Sequence, residues 1–139
     1  MVKKIKLVGL NARYTHSCLA LFYVRNELEK HCPESACELL QFTINDNYYE
    51  SLLRLTGGAP DHVFFSASIW NSALVEKLTL DINICLPDCR VVVGGPQASV
   101  IGDRLGEQFC TVVRGEIEAV GLGFFRDVQN GTLEKRYTG

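Results

Sequence analysis

Five times along this chain a short apolar run gives way, across a loop rich in glycine, proline, serine or asparagine, to a segment with helically spaced apolar residues. That alternation limits the fold more than any other feature. Strands that alternate with helices are buried economically as a parallel sheet covered on both faces, because each crossover is right-handed. Lys3 to Leu10 reads as the first strand, with Ile5, Leu7, Val8 and Leu10 apolar and Gly9 marking a close backbone approach. After the loop Asn11 to Ser17, a helix runs from the candidate N-cap Ser17 to His31, with Leu21, Val24 and Leu28 on one side, and Pro33 ends it.

The pattern then repeats. Ala36 to Phe42 is a second strand, Asp46 to Leu55 a helix closed by Gly57-Gly58-Ala59-Pro60, and Val63 to Ala67 a third strand. A helix from Ser72 to Ile84 turns Leu74, Leu78 and Ile82 inward, and Pro87-Asp88 breaks the chain before a fourth strand at Arg90 to Val93. Gly94-Gly95-Pro96 leads to a short helical stretch ending near Phe109, followed by a fifth strand at Thr111 to Val113 and a helix from Glu116 to Val128. The expected architecture is α/β: a doubly wound, flavodoxin-like (Rossmann-like) five-stranded parallel sheet of order 2-1-3-4-5 with helices on both faces. Residues 1–129 form this domain; residues 130–139, with Gly131, Lys135 and Arg136, read as an edge strand or, the favoured reading, a linker to a further C-terminal domain.

With 139 residues, 47% of them apolar, the chain suits one domain with one core. Its 14 basic and 16 acidic side chains leave a net charge of −2 with no basic cluster, which argues against nucleic acid and anionic lipid as partners. No apolar run spans a bilayer, and Met1 to Lys6 leads straight into a strand pattern, so a cytoplasmic location without membrane contact is expected. In that reducing compartment Cys18, Cys32, Cys37, Cys85, Cys89 and Cys110 stay free. Cys85 and Cys89 are spaced like the start of an iron-sulfur motif, but Val92 stands where the third cysteine would be, and structural thiols are the better reading.

In open doubly wound sheets a ligand sits beyond the carboxyl ends of the strands, where strand order reverses. The loops there are Asn11 to Ser17, Ser66 to Asn71, Gly94 to Ser99 and Arg114 to Glu118. Gly94-Gly95 removes two Cβ atoms where a ligand could press on backbone, and Pro96 can open a helix with its amide donors aimed outward; a tight ligand-free turn would use the same residues. Ser66 and Ser68 offer small hydroxyls that suit either a ligand or helix capping. Trp70 is equally suited to packing and to walling a ligand. His31 at a helix end and His62 beside Asp61 read as structural, not catalytic.

Four phrases carry a family resemblance: Asn11-Ala12-Arg13-Tyr14-Thr15-His16-Ser17, Phe65-Ser66-Ala67-Ser68-Ile69-Trp70-Asn71, Val93-Gly94-Gly95-Pro96-Gln97-Ala98-Ser99 and Val113-Arg114-Gly115-Glu116-Ile117-Glu118. Nearly the whole chain resembles the cobalamin (vitamin B12)-binding domain found at the amino terminus of cobalamin-dependent radical S-adenosylmethionine proteins. The resemblance implies cofactor contacts from Asn11, Ala12, Arg13, Tyr14, Thr15 and His16, from Ser66, Ala67, Ser68 and Trp70, from Gly94, Gly95, Pro96 and Gln97, and from Gly115, Glu116 and Glu118. It places the cobalamin nucleotide tail against Ser66, Ser68, Gly94 and Gly95. Ile117 departs from the family's Gly-Glu-Gly-Glu turn, leaving Gly115, Glu116 and Glu118 as rim candidates. Histidine-ligated relatives carry Asp-x-His-x-x-Gly after the first strand; here Arg13 stands at the histidine and His16 at the glycine, so no metal ligand is expected from the chain.

The resemblance further implies a methyltransferase-like parent enzyme, with a C-terminal radical S-adenosylmethionine domain in cis holding a four-iron, four-sulfur (4Fe-4S) cluster and S-adenosylmethionine. This chain lacks the three-cysteine motif for that cluster, so by itself it is expected to bind cobalamin without turnover. A response-regulator receiver would need acidic residues where Asn11 and Ser66 stand, and the Gly-x-Gly-x-x-Gly dinucleotide fingerprint is missing after the first strand. A flavodoxin-like domain binding FMN, or a structural interaction module that has kept only the fold, are the alternatives.

Overall fold

The structure is a computed structural model, and it describes residues 2–12 and 18–139. Six strands, β1 (Lys4–Asn11), β2 (Ala36–Thr43), β3 (His62–Ser66), β4 (Arg90–Gly94), β5 (Thr111–Arg114) and β6 (Arg136–Thr138), pair in the order β2-β1-β3-β4-β5-β6. Every pairing is parallel. The helices are α1 (Leu19–His31), α2 (Tyr48–Thr56), α3 (Ser72–Cys85), α4 (Ala98–Leu105) and α5 (Leu122–Asn130), with a 3-10 turn at Ile117–Ala119. This is the doubly wound, flavodoxin-like arrangement that the alternation of elements implies. Strand order reverses between β1 and β3, so the crevice opens there at the carboxyl edge.

Alternation along the strands builds two cores. Val8, Leu10, Val63, Phe65, Val91, Val93 and Val112 face α2, α3 and α4, meeting Leu55, Leu78, Ile82 and Ile101. Ile5, Leu7, Phe64, Val92 and Val113 face the other way, meeting Leu21 and Leu28 of α1 and Phe124, Phe125 and Val128 of α5.

Several boundaries move for identifiable reasons. Ser17 lies outside the described residues, and Cys18 occupies the N-cap position of α1. Asp46 does not open α2: its carboxylate accepts from the Thr43 amide at 2.9 Å and the Thr43 hydroxyl at 2.9 Å, while Asn47 caps the helix through the Glu50 amide at 3.0 Å. The fourth helix stops at Leu105 because Gly106 adopts φ 99°. The single helix expected from Glu116 is split, since Gly121 at φ 94° separates the 3-10 turn from α5.

The tail carries the sixth strand. Arg136 donates to Glu107 at 2.7 Å and Asp103 at 3.0 Å, and the Tyr137 hydroxyl donates to Asp127 at 2.6 Å while its ring meets Phe124 edge-on. All six thiols are unpaired; Cys32, Cys89 and Cys110 are buried and only Cys85 is exposed. No helix among the described residues is long and apolar enough to cross a membrane.

Candidate functional site

Ser66 pairs with Gly94, and Val8 with Phe65, so Gly9, Ser66 and Gly94 stand in one row across β1, β3 and β4. Each lies two residues beyond a side chain of the α1/α5 core (Leu7, Phe64 and Val92), so the row faces α1 and α5. Small residues in this row lower the floor at the carboxyl edge. At Gly9 the space is filled: a Cβ there would run into the Gln41 side chain and lie 3.1 Å from Cys18 Cβ. At Gly94 it is open, since a Cβ would meet nothing nearer than the Val113 carbonyl at 3.9 Å.

The result is a cleft of about 450 Å³ between α1, the sheet and the turn after β5. Phe64, Val92, Val113 and Phe124 form its floor, and Leu21 and Val24 of α1 one wall. Ser66, Gly94, Gly95 and Pro96 form its strand-end side, and Gly115, Glu116, Ile117 and Glu118 its far rim. The volume is in the range of small-molecule sites, and the lining is mostly apolar with a few polar groups, as such sites require. Among the described lining residues the only charges are the two glutamates.

A second hollow of about 210 Å³ lies at the β1/β3 crevice, lined by Asn11, Ala12, Cys18, Ser68, Trp70 and Asn71, and it shares Ser66 with the larger cleft. The sequence candidates thus divide between two adjoining spaces. Ala67 lines neither: its methyl is buried in the opposite core, its amide donates to Gly94 O at 2.8 Å, and its carbonyl accepts from the Gln97 amide at 3.1 Å. Gln97 is likewise outside both spaces, at the N-cap position of α4. Arg13, Tyr14, Thr15 and His16 lie outside the described residues.

Three features were not legible as site features. Asn71 is buried, yet its amide nitrogen donates to Leu10 O at 3.0 Å and Ser66 O at 3.1 Å, and its Oδ1 accepts from the Ser68 amide at 2.8 Å. It ties the ends of β1 and β3 to the loop between them; the Ser-x-x-Asn spacing before a helix was the available signal. Gln41 accepts from the Asn11 amide at 2.7 Å and so closes the β2 end of the row. The floor residues read in sequence as ordinary core positions.

Trp70 is 61% exposed and is therefore no core-packing residue. Ile69, Leu19, Tyr23 and Leu122 are exposed too, each at or just beyond a carboxyl-edge loop. No group of three or more His, Cys, Asp or Glu residues among the described ones could hold a metal ion. His62 is far from the edge: its Nε2 lies 3.1 Å from Val128 O, and burial pushes its pKa down. His31 stacks on Phe125 and contacts Glu27 at 3.1 Å.

No family model matches this chain, and no curated protein does. Among solved structures, the crystal structure of a novel cobalamin-binding protein from Desulfitobacterium hafniense DCB-2 superposes with a TM-score of 0.56 at 16% identity. The match covers 75% of this chain and 50% of that one, so the chain spans only half the length of the protein it matches. The likeness establishes a shared fold.

Proposed function

We propose that this chain is a cobalamin-binding module that takes the cofactor's nucleotide tail into the cleft beside Ser66 and Gly94. The observation that carries the reading is the open register row: a Cβ-free position at Gly94 and a hydroxyl at Ser66, above an apolar floor, at the carboxyl edge of a fold shared with a cobalamin-binding protein. The residues fit the group. A flat base can enter between Val24, Ile117 and the Gly94-Gly95-Pro96 turn above the buried apolar floor, the Ser66 hydroxyl can meet a ring nitrogen, and the exposed Trp70 supplies apolar surface at the adjoining hollow. FMN fits less well: its terminal phosphate brings close to two negative charges against the single charge of the phosphodiester in a cobalamin tail, and the rim holds Glu116 and Glu118 with no cation among the described lining residues.

The loop phrases support a radical S-adenosylmethionine methyltransferase-like parent, with the iron-sulfur cluster and S-adenosylmethionine held by a further domain in cis. In that setting the cobalt would carry the methyl group. This chain's share is to bind, orient and exclude water: Asn71 fixes the β3 loop, and Leu21, Val24 and Phe124 desolvate the tail. With Arg13 at the family's ligand position, the chain gives cobalt no imidazole from that place, because a guanidinium has no lone pair to donate.

Reconstitution with hydroxocobalamin followed by desalting tests the proposal. A retained corrin spectrum, lost in Gly94→Val, is the expected result. Retention of FMN and not of cobalamin, or of neither, would overturn it.

A further inference from the structure

We propose that the tail strand β6 and Gly139 form a strap that holds the far rim of the cleft in position, so that ligand retention is set in part by residues that do not line the cleft; the identity of the ligand rests on the cobalamin reading above. The rim's own hold is slight. The turn runs between Gly115 at φ 85° and Gly121 at φ 94°, and its internal backbone hydrogen bonds are Ala119 to Glu116 O at 3.0 Å and Val120 to Ile117 O at 3.4 Å. Ile117 and Val120 are partly buried against the α1/α5 core, while Glu116 and Glu118 are exposed.

The turn also closes on Gly139. The Gly139 amide donates to Arg114 O at 2.8 Å, and a Cβ at Gly115 would stand 2.7 Å from Gly139 O. A Cβ at Gly139 would stand 2.6 Å from Glu116 O, 3.1 Å from Val120 N and 3.2 Å from the Ala119 carbonyl carbon. Backbone meets backbone there, with no room for a methyl group. Gly139 is in turn fixed by β6, whose Arg136, Tyr137 and Thr138 pair with Val112, Val113 and Arg114. Arg136 reaches Glu107 and Asp103, and Tyr137 reaches Asp127 and sets its ring edge-on to the floor residue Phe124. None of residues 136–139 lines either space. A rim freed from Gly139 would have to be ordered at binding, together with the lining side chains Glu116, Ile117 and Glu118, and that ordering costs affinity.

The test pairs amide hydrogen exchange of the ligand-free chain with a spectroscopic titration by hydroxocobalamin. Gly139→Val should exchange faster at Ala119 and Val120 and bind about tenfold more weakly, with Gly139→Ala between it and wild type. Lys135→Ala, which removes only a 3.8 Å ion pair with Glu107 on the same tail, should match wild type in both measurements. Unchanged rim exchange in Gly139→Val overturns the strap, as does exchange that accelerates throughout the sheet, because the loss is then one of the whole fold. Faster rim exchange with unchanged affinity overturns the link to retention and leaves the module reading intact. Failure of the wild-type chain to bind overturns the module reading and the retention claim together, and the exchange measurement, which uses no ligand, then decides by itself whether Gly139 holds the rim.

Discussion

Gly95 packs backbone to backbone on Ala67: a Cβ at position 95 would stand 2.7 Å from the Ala67 carbonyl oxygen and 2.9 Å from its nitrogen, at a φ of 92°. The two glycines of the Gly94-Gly95 turn therefore have different reasons to be glycine. The second is required by the chain itself; the first leaves space toward the cleft.

Substitutions should separate the two. Gly95→Ala should destabilise the fold by about 1–3 kcal/mol or more through backbone strain and the clash with Ala67. Gly94→Val should keep its far-ultraviolet circular dichroism and thermal midpoint close to wild type while losing retained cobalamin. A Gly95→Ala variant as stable as wild type in urea would contradict this reading of the turn.

Asn71→Ala should remove the two donated hydrogen bonds to Leu10 O and Ser66 O and take from the partly buried Ser68 amide its acceptor. The expected cost is about 2–4 kcal/mol, read as a lower urea midpoint with unchanged slope. Asn71→Asp keeps the acceptor for Ser68 but turns an anion toward two carbonyls, so it should not recover the loss.

Acidification should weaken the fold through His62. Burial, the largest influence, holds its pKa below the ordinary imidazole value, and Nδ1 has no partner while Nε2 meets Val128 O. The unfolded chain then binds more protons than the folded one, so stability is fully present above the unfolded imidazole pKa of about 6.5 and falls as pH drops through the depressed folded value. His62→Gln, which can still donate to Val128 O, should flatten the stability profile between pH 7 and pH 5. Equal slopes in variant and wild type would rule out His62 as the cause.

Thiol chemistry should follow burial. Cys89 is pushed up to about 12, and burial raises Cys32 and Cys110 as well, whereas Cys85 is exposed. Mass spectrometry after brief alkylation of the folded chain should find Cys85 modified first, and Cys32, Cys89 and Cys110 only on unfolding.

The alternation of strands and helices was legible because apolar runs of four or five residues and glycine-proline loops are local signals; the order 2-1-3-4-5 was expected from the flavodoxin-like arrangement, since right-handed crossovers alone allow more than one order. β6 was ambiguous because three residues, two of them polar, carry no periodicity; it is held by pairing with β5, by Arg136 reaching Glu107 and by Tyr137 reaching Asp127. The edge loops were legible as candidates, since Ser66, Gly94 and Glu116 do line the cleft. What could not be read was their division into two spaces, or the part of Val92 and Phe124, because a valine in a strand looks the same whether a helix or a ligand covers it.

The floor of the cleft is made of the same side chains that hold α1 and α5 to the sheet. Whatever settles on Phe64, Val92, Val113 and Phe124 is gripped by the protein's own interior, so occupancy and folding draw on one set of contacts. Loading then acts as a late stage of folding: each tenfold rise in free ligand above its dissociation constant should add about 1.4 kcal/mol to the work of unfolding.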